Sequence, residues 1–451
     1  MTRAPSATPA LMTDLYELTM AAGYVEQGLH HVEATFELFV RALPPRRGYL
    51  LLAGLEQVVQ YLEQLRFTEE QLAYLRALPV FAHVRPAFWE YLRTLRFTGD
   101  LWAIPEGRVV FPGEPILRVR APIVQAQLVE TYLLAALNLG IAVATKASRV
   151  VQAAQGRAVI DFGSRRAHGP EAAVYAARAA YIGGCVGTSN VEAGYRWGIP
   201  VFGTMAHSWV MAFGNELEAF RAFHRVFPEH TTLLVDTYDT LEGVQHAIAL
   251  GGSIRGIRID SGDLVYLSQQ ARSRLDQAGL RQVRIGISGD LDEYRIWDFL
   301  RRGGVADWFG VGTKMVTSED APWVGGVYKL VELSYNGAER FVLKLSQAKR
   351  TYPASKQVYR FRDSTGRLTY DLVAWEEEPP PEGGEPLLVP VLLRGTRSEP
   401  LPELEAIRQR AQQELAALPE PVRDLEEPAA YPVRISAKLE RLFAQVMEQV
   451  G

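Results

Sequence analysis

The chain of 451 residues is poor in cysteine and contains no long uninterrupted apolar run. Its single cysteine, Cys185, excludes an intramolecular disulfide and any metal site built from several cysteines. No stretch of about 18 or more apolar residues occurs, so a transmembrane helix is not expected. The polar first ten residues also lack the apolar core of a signal peptide. These absences predict a soluble protein of the cytoplasm.

The chain also lacks a marked excess of either charge. Lys and Arg number 48 and Asp and Glu number 52, which gives a formal net charge of −4. Extended binding to nucleic acid or to an anionic membrane needs a basic surface, so neither partner is expected. A local basic pocket for a small anion remains compatible with this balance.

The order of apolar and polar residues divides the chain into three regions. Residues 1–125 combine helical segments with short strands, including an alternating, half-buried strand over 32–44, and predict an α+β domain. Residues 126–324 begin with two helices and then alternate strands with helices. Residues 325–451 return to antiparallel strands, part of which are expected to pack with the N-terminal domain, and end in two helices.

The middle region carries the clearest fold pattern. Short apolar segments alternate there with helical ones, at 158–163, 199–206, 231–238, 254–260, 283–290 and 307–313. This alternation is typical of a parallel sheet covered by helices. Six such units favour a TIM-like α/β barrel over an open sheet, with the active site at the carboxyl ends of the strands.

Polar residues and glycines do cluster at those strand ends, in DFGSRR, GTMAHS, DTYDT, RIDSGD, SGD and GVGTK. Arg165 and Arg166 precede a helix expected to begin near Pro170, an arrangement that suits a phosphate or pyrophosphate. An ordinary surface ion pair is the simpler alternative for these arginines. His207 could carry a proton or accept a phosphoryl group, or it could be structural.

Carboxylates and a glycine-rich turn complete the pattern. Asp260 and Asp290 could hold Mg²⁺ or accept hydrogen bonds from ribose hydroxyls, whereas Asp263 is equally well explained as a helix N-cap. The GVGTK segment, with Lys314, is similar to loops whose backbone N–H groups bind phosphate, although it lacks the Walker A pattern. The residues alone therefore predict an α/β barrel that binds a phosphosugar.

These segments, together with DLYELTMA near residue 13, GTSNVEAG and GGVYKL, occur in an order that resembles the nicotinate phosphoribosyltransferase family over nearly the whole chain. The resemblance implies an irregular, TIM-like barrel of the type II phosphoribosyltransferases with an additional α+β domain, usually in a homodimer. It implies transfer of a phosphoribosyl group from 5-phosphoribosyl 1-pyrophosphate to nicotinate, which yields nicotinate mononucleotide and pyrophosphate for NAD salvage. The family couples this transfer to ATP hydrolysis through a phosphohistidine and uses Mg²⁺.

The resemblance also implies roles for individual residues. His207 matches the phosphorylated histidine, and Asp260 and Asp290 match carboxylates beside the ribose. The positions expected to bind substrate are Tyr16, Phe162, Arg165, Arg166, Asn190, Thr204, Arg258, Gly289, Gly312 and Thr313. Of these, Phe162 would stack on the pyridine ring, Arg258 would hold the nicotinate carboxylate, and Tyr16 would border the nicotinate site, with entry from a partner subunit an open alternative.

Asn190 favours the acid over the amide as substrate. The related nicotinamide enzyme has an aspartate at this position, and an aspartate about 4 Å from a carboxylate would repel it by roughly 4 kcal/mol at an effective dielectric of 20. The alternatives are a quinolinate phosphoribosyltransferase, which would need a denser basic cluster, a catalytically silent phosphosugar-binding protein, and a sugar-phosphate aldolase, for which no strand-end Schiff-base lysine stands out.

Overall fold

A computed structural model describes residues 8–344 and 351–450, so most of the N-terminal segment considered above lies outside the described residues. Contacts group the chain into two compact units, Met1–Ile141 with Trp323–Gly451, and Ala142–Pro322. The sequence placed its boundaries after residues 125 and 324 instead.

The helices and strands follow one another along the chain in three groups. The first contains α1 (Leu15–Glu26), β1 (Glu33–Val40), β2 (Leu50–Leu51), α2 (Leu55–Gln64), α3 (Glu69–Arg76), α4 (Pro86–Thr94), β3 (Asp100–Ala103), β4 (Val109–Val110), β5 (Pro115–Pro122), α5 (Ile123–Leu128) and α6 (Glu130–Ala153). The second contains β6 (Ala158–Asp161), α7 (Pro170–Ile182), β7 (Gly187–Thr188), α8 (Val191–Trp197), α9 (His207–Met211), α10 (Glu216–Val226), β8 (Thr232–Leu234), α11 (Thr240–Leu250), β9 (Gly256–Ile259), α12 (Leu264–Gln277), β10 (Arg284–Ile287), α13 (Glu293–Arg301), β11 (Trp308–Val311) and α14 (Thr313–Val316). The third contains β12 (Gly326–Tyr335), β13 (Ala338–Phe341), β14 (Lys356–Arg362), β15 (Leu368–Trp375), β16 (Glu385–Pro386), β17 (Val389–Leu393), β18 (Thr396–Arg397), α15 (Leu404–Ala417), β19 (Val433–Ile435) and α16 (Ala437–Val450).

In the first unit, strands from the N-terminal region pair with strands from the C-terminal region of the chain. Its larger sheet has the order β13-β12-β1-β5-β3-β17-β18, and a smaller sheet has the order β16-β14-β15-β19. The strand predicted within 32–44 is confirmed as β1, but its half-buried character is wrong, because β1 lies between β12 and β5 and is buried along most of its length. Even Glu37 on β1 is fully buried, and its Oε2 lies 2.7 Å from Nζ of Lys356.

Helix α6 is longer than the sequence suggested. The two helices predicted near the start of the middle region are replaced by the short α5 and the 24-residue α6, which crosses the division between the units. By length and composition, the segment Ile123–Ala153 could cross a membrane, with a mean hydropathy of 1.6 over its most apolar window. The inside of the protein buries 61% of that window, as expected for a core helix.

The second unit contains a parallel sheet with helices between its strands. The order is β7-β6-β11-β10-β9-β8, so each strand from β8 to β11 pairs with the next, and β11 pairs with β6. An α/β barrel would have its strands in this order. The strand predicted over 199–206 is reduced to a bridge between Val201 and Thr188, and the ladder is open from there to β8 among the described residues. Closure of the barrel therefore stays a prediction.

Polar side chains at the strand ends begin the following helices. Four of these helices start after a residue whose side chain accepts a backbone N–H group of the first turn, namely Asn190, Asp239, Asp263 and Asp292. Such N-caps satisfy helix N–H groups that have no partner within the helix. For Asp263, the capping alternative is thus confirmed. The caps fix where each connecting turn ends and the helix begins.

Candidate active site

Phe162 lies at the end of β6, and its ring fits because a neighbouring strand carries glycine. A Cβ atom on Gly310 would approach the ring to 2.5 Å. The ring of Trp308 meets Phe162 edge to face, with 6.1 Å between centroids. Just before Phe162, the fully buried carboxylate of Asp161 accepts the N–H of Gly163 at 2.8 Å. Asp161 therefore holds the backbone beside Phe162, and Gly310 and Trp308 define the space for its ring.

Arg258, in β9, brings a cation to the Phe162 ring. Its guanidinium carbon lies 5.9 Å from the ring centroid. One terminal nitrogen donates to Oγ1 of Thr204 at 2.8 Å, and the other donates to the carbonyl of Met205 at 3.2 Å. The remaining Nε–H is buried and has no partner among the described residues. Arg258 thus contacts both of the other predicted residues, Phe162 and Thr204.

Burial lowers the pKa of Arg258, whereas the nearby carboxylates of Asp260 and Asp236 oppose that shift. Desolvation disfavours a charge unless a counter-charge is present. The guanidinium therefore sits in a partly dry environment with donor capacity left over, which is the electrostatic condition for binding an anion tightly.

A cavity of about 520 Å³ adjoins this arrangement. Phe162, Gly203 and Thr204 line one end of it. The cavity extends largely toward the amino ends of the strands, where it is lined by the first residues of β6, β8, β9, β10 and β11, namely Ala158, Thr232, Gly256, Arg284 and Trp308. Its lining is apolar and aromatic around Phe162, as is usual for sites that bind organic ligands, and becomes polar toward the other end, at His230, Arg255, Arg284 and Asp307. Arg258 does not line the cavity directly, but it contacts two residues that do.

His207 is the first residue of α9 and is half-buried. Its Nδ1 lies 3.2 Å from Oγ1 of Thr237, in the turn that follows β8. A hydrogen bond at one ring nitrogen fixes the orientation of the imidazole and sets which nitrogen is left for chemistry. No partner is present for Nε2 among the described residues, so this nitrogen remains available.

Asp236, beside Thr237, organises the turn after β9. Its Oδ2 accepts the N–H of Asp260 at 3.2 Å and the hydroxyl of Ser261 at 2.6 Å. Its Oδ1 is buried without a hydrogen-bond partner in the described part of the chain. A buried carboxylate oxygen in this condition is unusual and favours a donor or cation that arrives with a ligand.

Asp260 and the turn after β10 pack closely against each other. Ser288 donates a short hydrogen bond to Oδ1 of Asp260. Gly289 has a φ of +102°, and a Cβ atom there would lie 2.0 Å from the carbonyl oxygen of Asp260. Asp290 follows with a φ of +48° and is exposed. Glycine at 289 is thus required both by the backbone conformation and by the close approach.

The GVGTK turn lies against Phe162. A Cβ atom on Gly312 would lie 3.1 Å from the carbonyl oxygen of Phe162, and the N–H of Phe162 donates to the carbonyl of Val311 at 2.8 Å. Thr313 begins α14 and is half-buried. Lys314 is paired with a carboxylate, since its Nζ lies 2.9 Å from Oδ2 of Asp292.

Arg165 and Arg166 lie in a short 3₁₀ helix, Ser164–Arg166, and both are exposed. Neither has a carboxylate partner in residues 8–344 and 351–450, which leaves the surface ion pair without support. The positive charge of Arg165 is close enough to Arg258 to contribute to its lowered pKa. In the same area, Nδ2 of Asn190 donates to Oγ of Ser164 at 3.0 Å.

Tyr16 belongs to the other unit, where it lies on α1 and is 47% exposed. Burial and the nearby Glu130 raise its pKa above the ordinary value. Its role beside nicotinate stays a prediction, as do the roles of the other predicted residues. Within the second unit, the structure links Phe162 with Arg258, Thr204 and Gly312, and it links Asp260 with Gly289.

Two features here were missed at the level of sequence. The sequence patterns DFGSRR and DTYDT assign no role to Asp161 or Asp236, although both are buried and organise turns. An aspartate that ends a buried strand was the available signal. No group of three or more His, Cys, Asp or Glu side chains is arranged to hold a metal among the described residues.

The sequence and fold were compared with known proteins. Three family models match: the nicotinate phosphoribosyltransferase N-terminal domain at residues 11–138, the nicotinate phosphoribosyltransferase family at 158–368, and the corresponding C-terminal domain at 384–443. Nicotinate phosphoribosyltransferase pncB2 of Mycobacterium tuberculosis is 48% identical over 438 residues, which cover 95% of this chain and 92% of the relative.

Solved structures agree with these matches. The crystal structure of human nicotinic acid phosphoribosyltransferase has a TM-score of 0.84 and 31% identity, and the match covers 96% of this chain and 99% of that one. A nicotinate-nucleotide pyrophosphorylase from Pyrococcus furiosus has a TM-score of 0.75 and 26% identity, with 92% and 99% covered. The expected fold class is confirmed, and this chain belongs to the nicotinate phosphoribosyltransferase family.

Proposed function

We propose that the protein is a nicotinate phosphoribosyltransferase, which joins nicotinate to the anomeric carbon of 5-phosphoribosyl 1-pyrophosphate and releases pyrophosphate. The observation that carries this proposal is the buried Arg258 guanidinium beside the Phe162 ring, next to a cavity of about 520 Å³. Nicotinate is a flat aromatic ring that bears a carboxylate, so it matches a ring-stacking surface with an adjacent cation. The product, nicotinate mononucleotide, would serve NAD salvage in the cytoplasm.

In the proposed reaction, the pyridine nitrogen bonds to the anomeric carbon as the bond to pyrophosphate breaks. Positive charge develops on the ribose, and negative charge develops on the leaving group. Asp260 and Asp290 are suited to stabilise the ribose, while the unpaired Arg165 and Arg166 are suited to the phosphates. Because nicotinate and the phosphosugar would be bound side by side in a fixed orientation, the entropic part of the activation barrier for phosphoribosyl transfer would be lower.

The carboxylates at the strand ends fit Mg²⁺ as the expected metal. Mg²⁺ is usually bound by one or two carboxylates together with substrate phosphates, so a preformed cage of protein ligands is not needed. Asp260 and the buried, partnerless Oδ1 of Asp236 would be its protein ligands. When bound, the metal would supply positive charge to the departing pyrophosphate.

We further propose that ATP phosphorylates His207. The Nε2 lone pair would attack the γ-phosphorus as the bond to ADP breaks, and water would later hydrolyse the phosphohistidine to phosphate. The contact between Nδ1 and Thr237 supports this, because it orients the ring with Nε2 free. Labelling with γ-labelled ATP should give an acid-labile phosphate that is lost in His207→Gln and kept in His83→Gln, an exposed control.

A homodimer is the expected assembly. Exposed apolar side chains on and just before α1 support it, namely Met12, Leu15, Tyr16 and Met20. A surface of this kind on a soluble enzyme commonly marks a contact with another chain. Sedimentation of the purified protein would test this, and a monomer at micromolar concentration would contradict it.

The activity itself is tested by measuring pyrophosphate and mononucleotide formation. The purified protein would be mixed with 5-phosphoribosyl 1-pyrophosphate and either nicotinate or nicotinamide, with and without ATP. We expect product from nicotinate, more of it with ATP, and little from nicotinamide. Equal rates with the two bases would contradict the preference for the acid, and no product from either would refute the proposed function.

A further inference from the structure

Side chains link the turns that follow neighbouring strands of the parallel sheet. Asp236, after β8, binds the backbone of Asp260 and the hydroxyl of Ser261 after β9. Ser288, at the end of β10, donates to Asp260. Each link fixes one turn relative to the next, so the site is held by contacts between turns as well as by the strands.

The next link in this series is an ion pair. We call residues 288–292 the β10 turn and residues 312–314 the β11 turn. Oδ2 of Asp292 lies 2.9 Å from Nζ of Lys314, and Oδ1 of the same carboxylate accepts the N–H of Arg295 at 2.8 Å. The side chains of Asp292 and Lys314 are only 11% and 23% exposed, so water screens this pair less than a surface pair.

The neighbour of Asp292 fixes one side of the pair. Glu293 is fully buried, with its carboxylate 2.6 Å from Nζ of Lys146 and 3.0 Å from Nε of Arg149. Lys146 also lies 2.7 Å from Asp320. These contacts attach the start of α13 to α6, so Asp292 is the rigid member of the pair. Lys314 Nζ also lies 3.7 Å from Oε2 of the exposed Glu319, so Asp292 is its nearer and more buried partner.

The β11 turn carries two of the residues expected to meet the phosphoribosyl group, Gly312 and Thr313. The β10 turn carries Gly289 and Asp290, expected beside the ribose. Because the ion pair joins the two turns, its loss would let the β11 turn move away from the β10 turn. A phosphoribosyl group bound by both would then lose contacts on one side.

We propose that Asp292 is a positioning residue, which sets the spacing of the β10 and β11 turns through Lys314, and that Lys314 serves this pair instead of binding phosphate itself. The inference rests on the proposed function, since that function assigns the phosphoribosyl group to these turns. It adds a residue pair that does not touch substrate but governs how tightly the phosphosugar binds.

The test uses Asp292→Asn in the full-length protein. Asparagine caps a helix about as well as aspartate, so the contact with Arg295 is retained. The nearer and more buried of the two charges beside Lys314 is lost, and the exposed Glu319 lies outside the β10 turn. We expect KM for 5-phosphoribosyl 1-pyrophosphate to rise about tenfold, with kcat and KM for nicotinate changed less than about twofold, because this binding is shared by ground and transition states. Lys314→Arg, which keeps the pair, should stay within about twofold of the original protein.

Asp276→Asn is the matched control. It removes an ion pair of similar length, 2.8 Å, which is formed with Arg272 within α12 and is more exposed than the pair of Asp292. We expect no change in either KM. If the control raises KM for the phosphosugar as much as Asp292→Asn does, a general loss of stability explains the result and the proposal is overturned.

The direction of the effect separates the two roles of Lys314. If Lys314 bound phosphate itself, Asp292→Asn would free its charge and would lower KM or leave it unchanged, and either result overturns the proposal. The double variant Asp292→Asn/Lys314→Gln gives a second readout, since members of one pair should not have additive effects. A parent protein that makes no product refutes the proposed function, whereas an active parent with unchanged variants refutes only the positioning role.

Discussion

Replacing Arg258 by glutamine tests how the acid is recognised. The guanidinium lies 5.9 Å from the Phe162 centroid, and two of its nitrogens are held by Thr204 and Met205 while Nε has no partner in the described chain. A carboxylate about 4 Å from this cation is attracted by roughly 4 kcal/mol at an effective dielectric of 20. About 1.4 kcal/mol corresponds to a tenfold change in affinity, so Arg258→Gln should weaken nicotinate roughly a thousandfold.

Nicotinamide is the comparison ligand, because it has the same ring and no charge. Its affinity should fall by about tenfold or less, the cost of one hydrogen bond. KM for each base would be measured from pyrophosphate release at saturating phosphosugar, alongside direct binding. Arg281→Gln, which removes an exposed arginine of the same unit, serves as the control.

Two results would refute this reasoning about Arg258. The first is an equal loss for nicotinate and nicotinamide, which would mean that the cation does not meet the carboxylate. The second is an equal effect of Arg281→Gln, which would mean that the net charge of the protein, and not the position of Arg258, determines nicotinate binding. Thermal unfolding must accompany the assay, since Thr204 and Met205 lose a donor in the variant.

Three further predictions concern other positions. Asn190→Asp keeps the cap on Ala193 but adds a negative charge, so it should raise KM for nicotinate far more than KM for nicotinamide; equal rises in the two KM values would contradict this. Gly289→Ala should lower the thermal midpoint more than Gly279→Ala, because both have positive φ but only the first places Cβ against backbone, 2.0 Å from an oxygen; equal midpoints would contradict it. Burial raises the pKa of Glu17 from 4.5 to about 7, so the folded state binds its proton more tightly than the unfolded chain, and stability should fall by about 3 kcal/mol as pH rises from 4.5 to 7. Urea titrations at several pH values give the free energy of unfolding, and its dependence on pH should be weaker in Glu17→Gln. An unchanged dependence would mean that other groups cause it.

The sequence predicts the sheet and its polar edge because both follow from local patterns. Short apolar segments between helices give the strands β6 and β8 to β11, and the aspartates and glycines after them mark the turns. The same logic fails at 199–206, where an apolar segment pairs only through Val201. Whether such a segment pairs with other strands depends on the residues that lie beside it in the fold, and a local sequence pattern gives no information about them.

Ion pairs between distant residues could not be predicted. Lys146 and Arg149, on α6, are both buried against Glu293, which lies 144 residues after Arg149. The GVGTK pattern predicts that Lys314 belongs to a phosphate-binding loop. Its pairing with Asp292 cannot be predicted in this way, because it depends on two turns that meet at the edge of the sheet. Neither pairing has a periodicity or a spacing that would reveal it.

The tryptophan in the cavity wall gives the protein a built-in optical probe. Trp308, the first residue of β11, lies edge to face with Phe162, the ring on which the pyridine is proposed to stack, and lines the same cavity. An electron-poor aromatic stacked there would quench its emission, so ligand titrations need no label. The chain has eight tryptophans, and the difference between the parent and a Trp308→Phe variant would isolate the signal from this one.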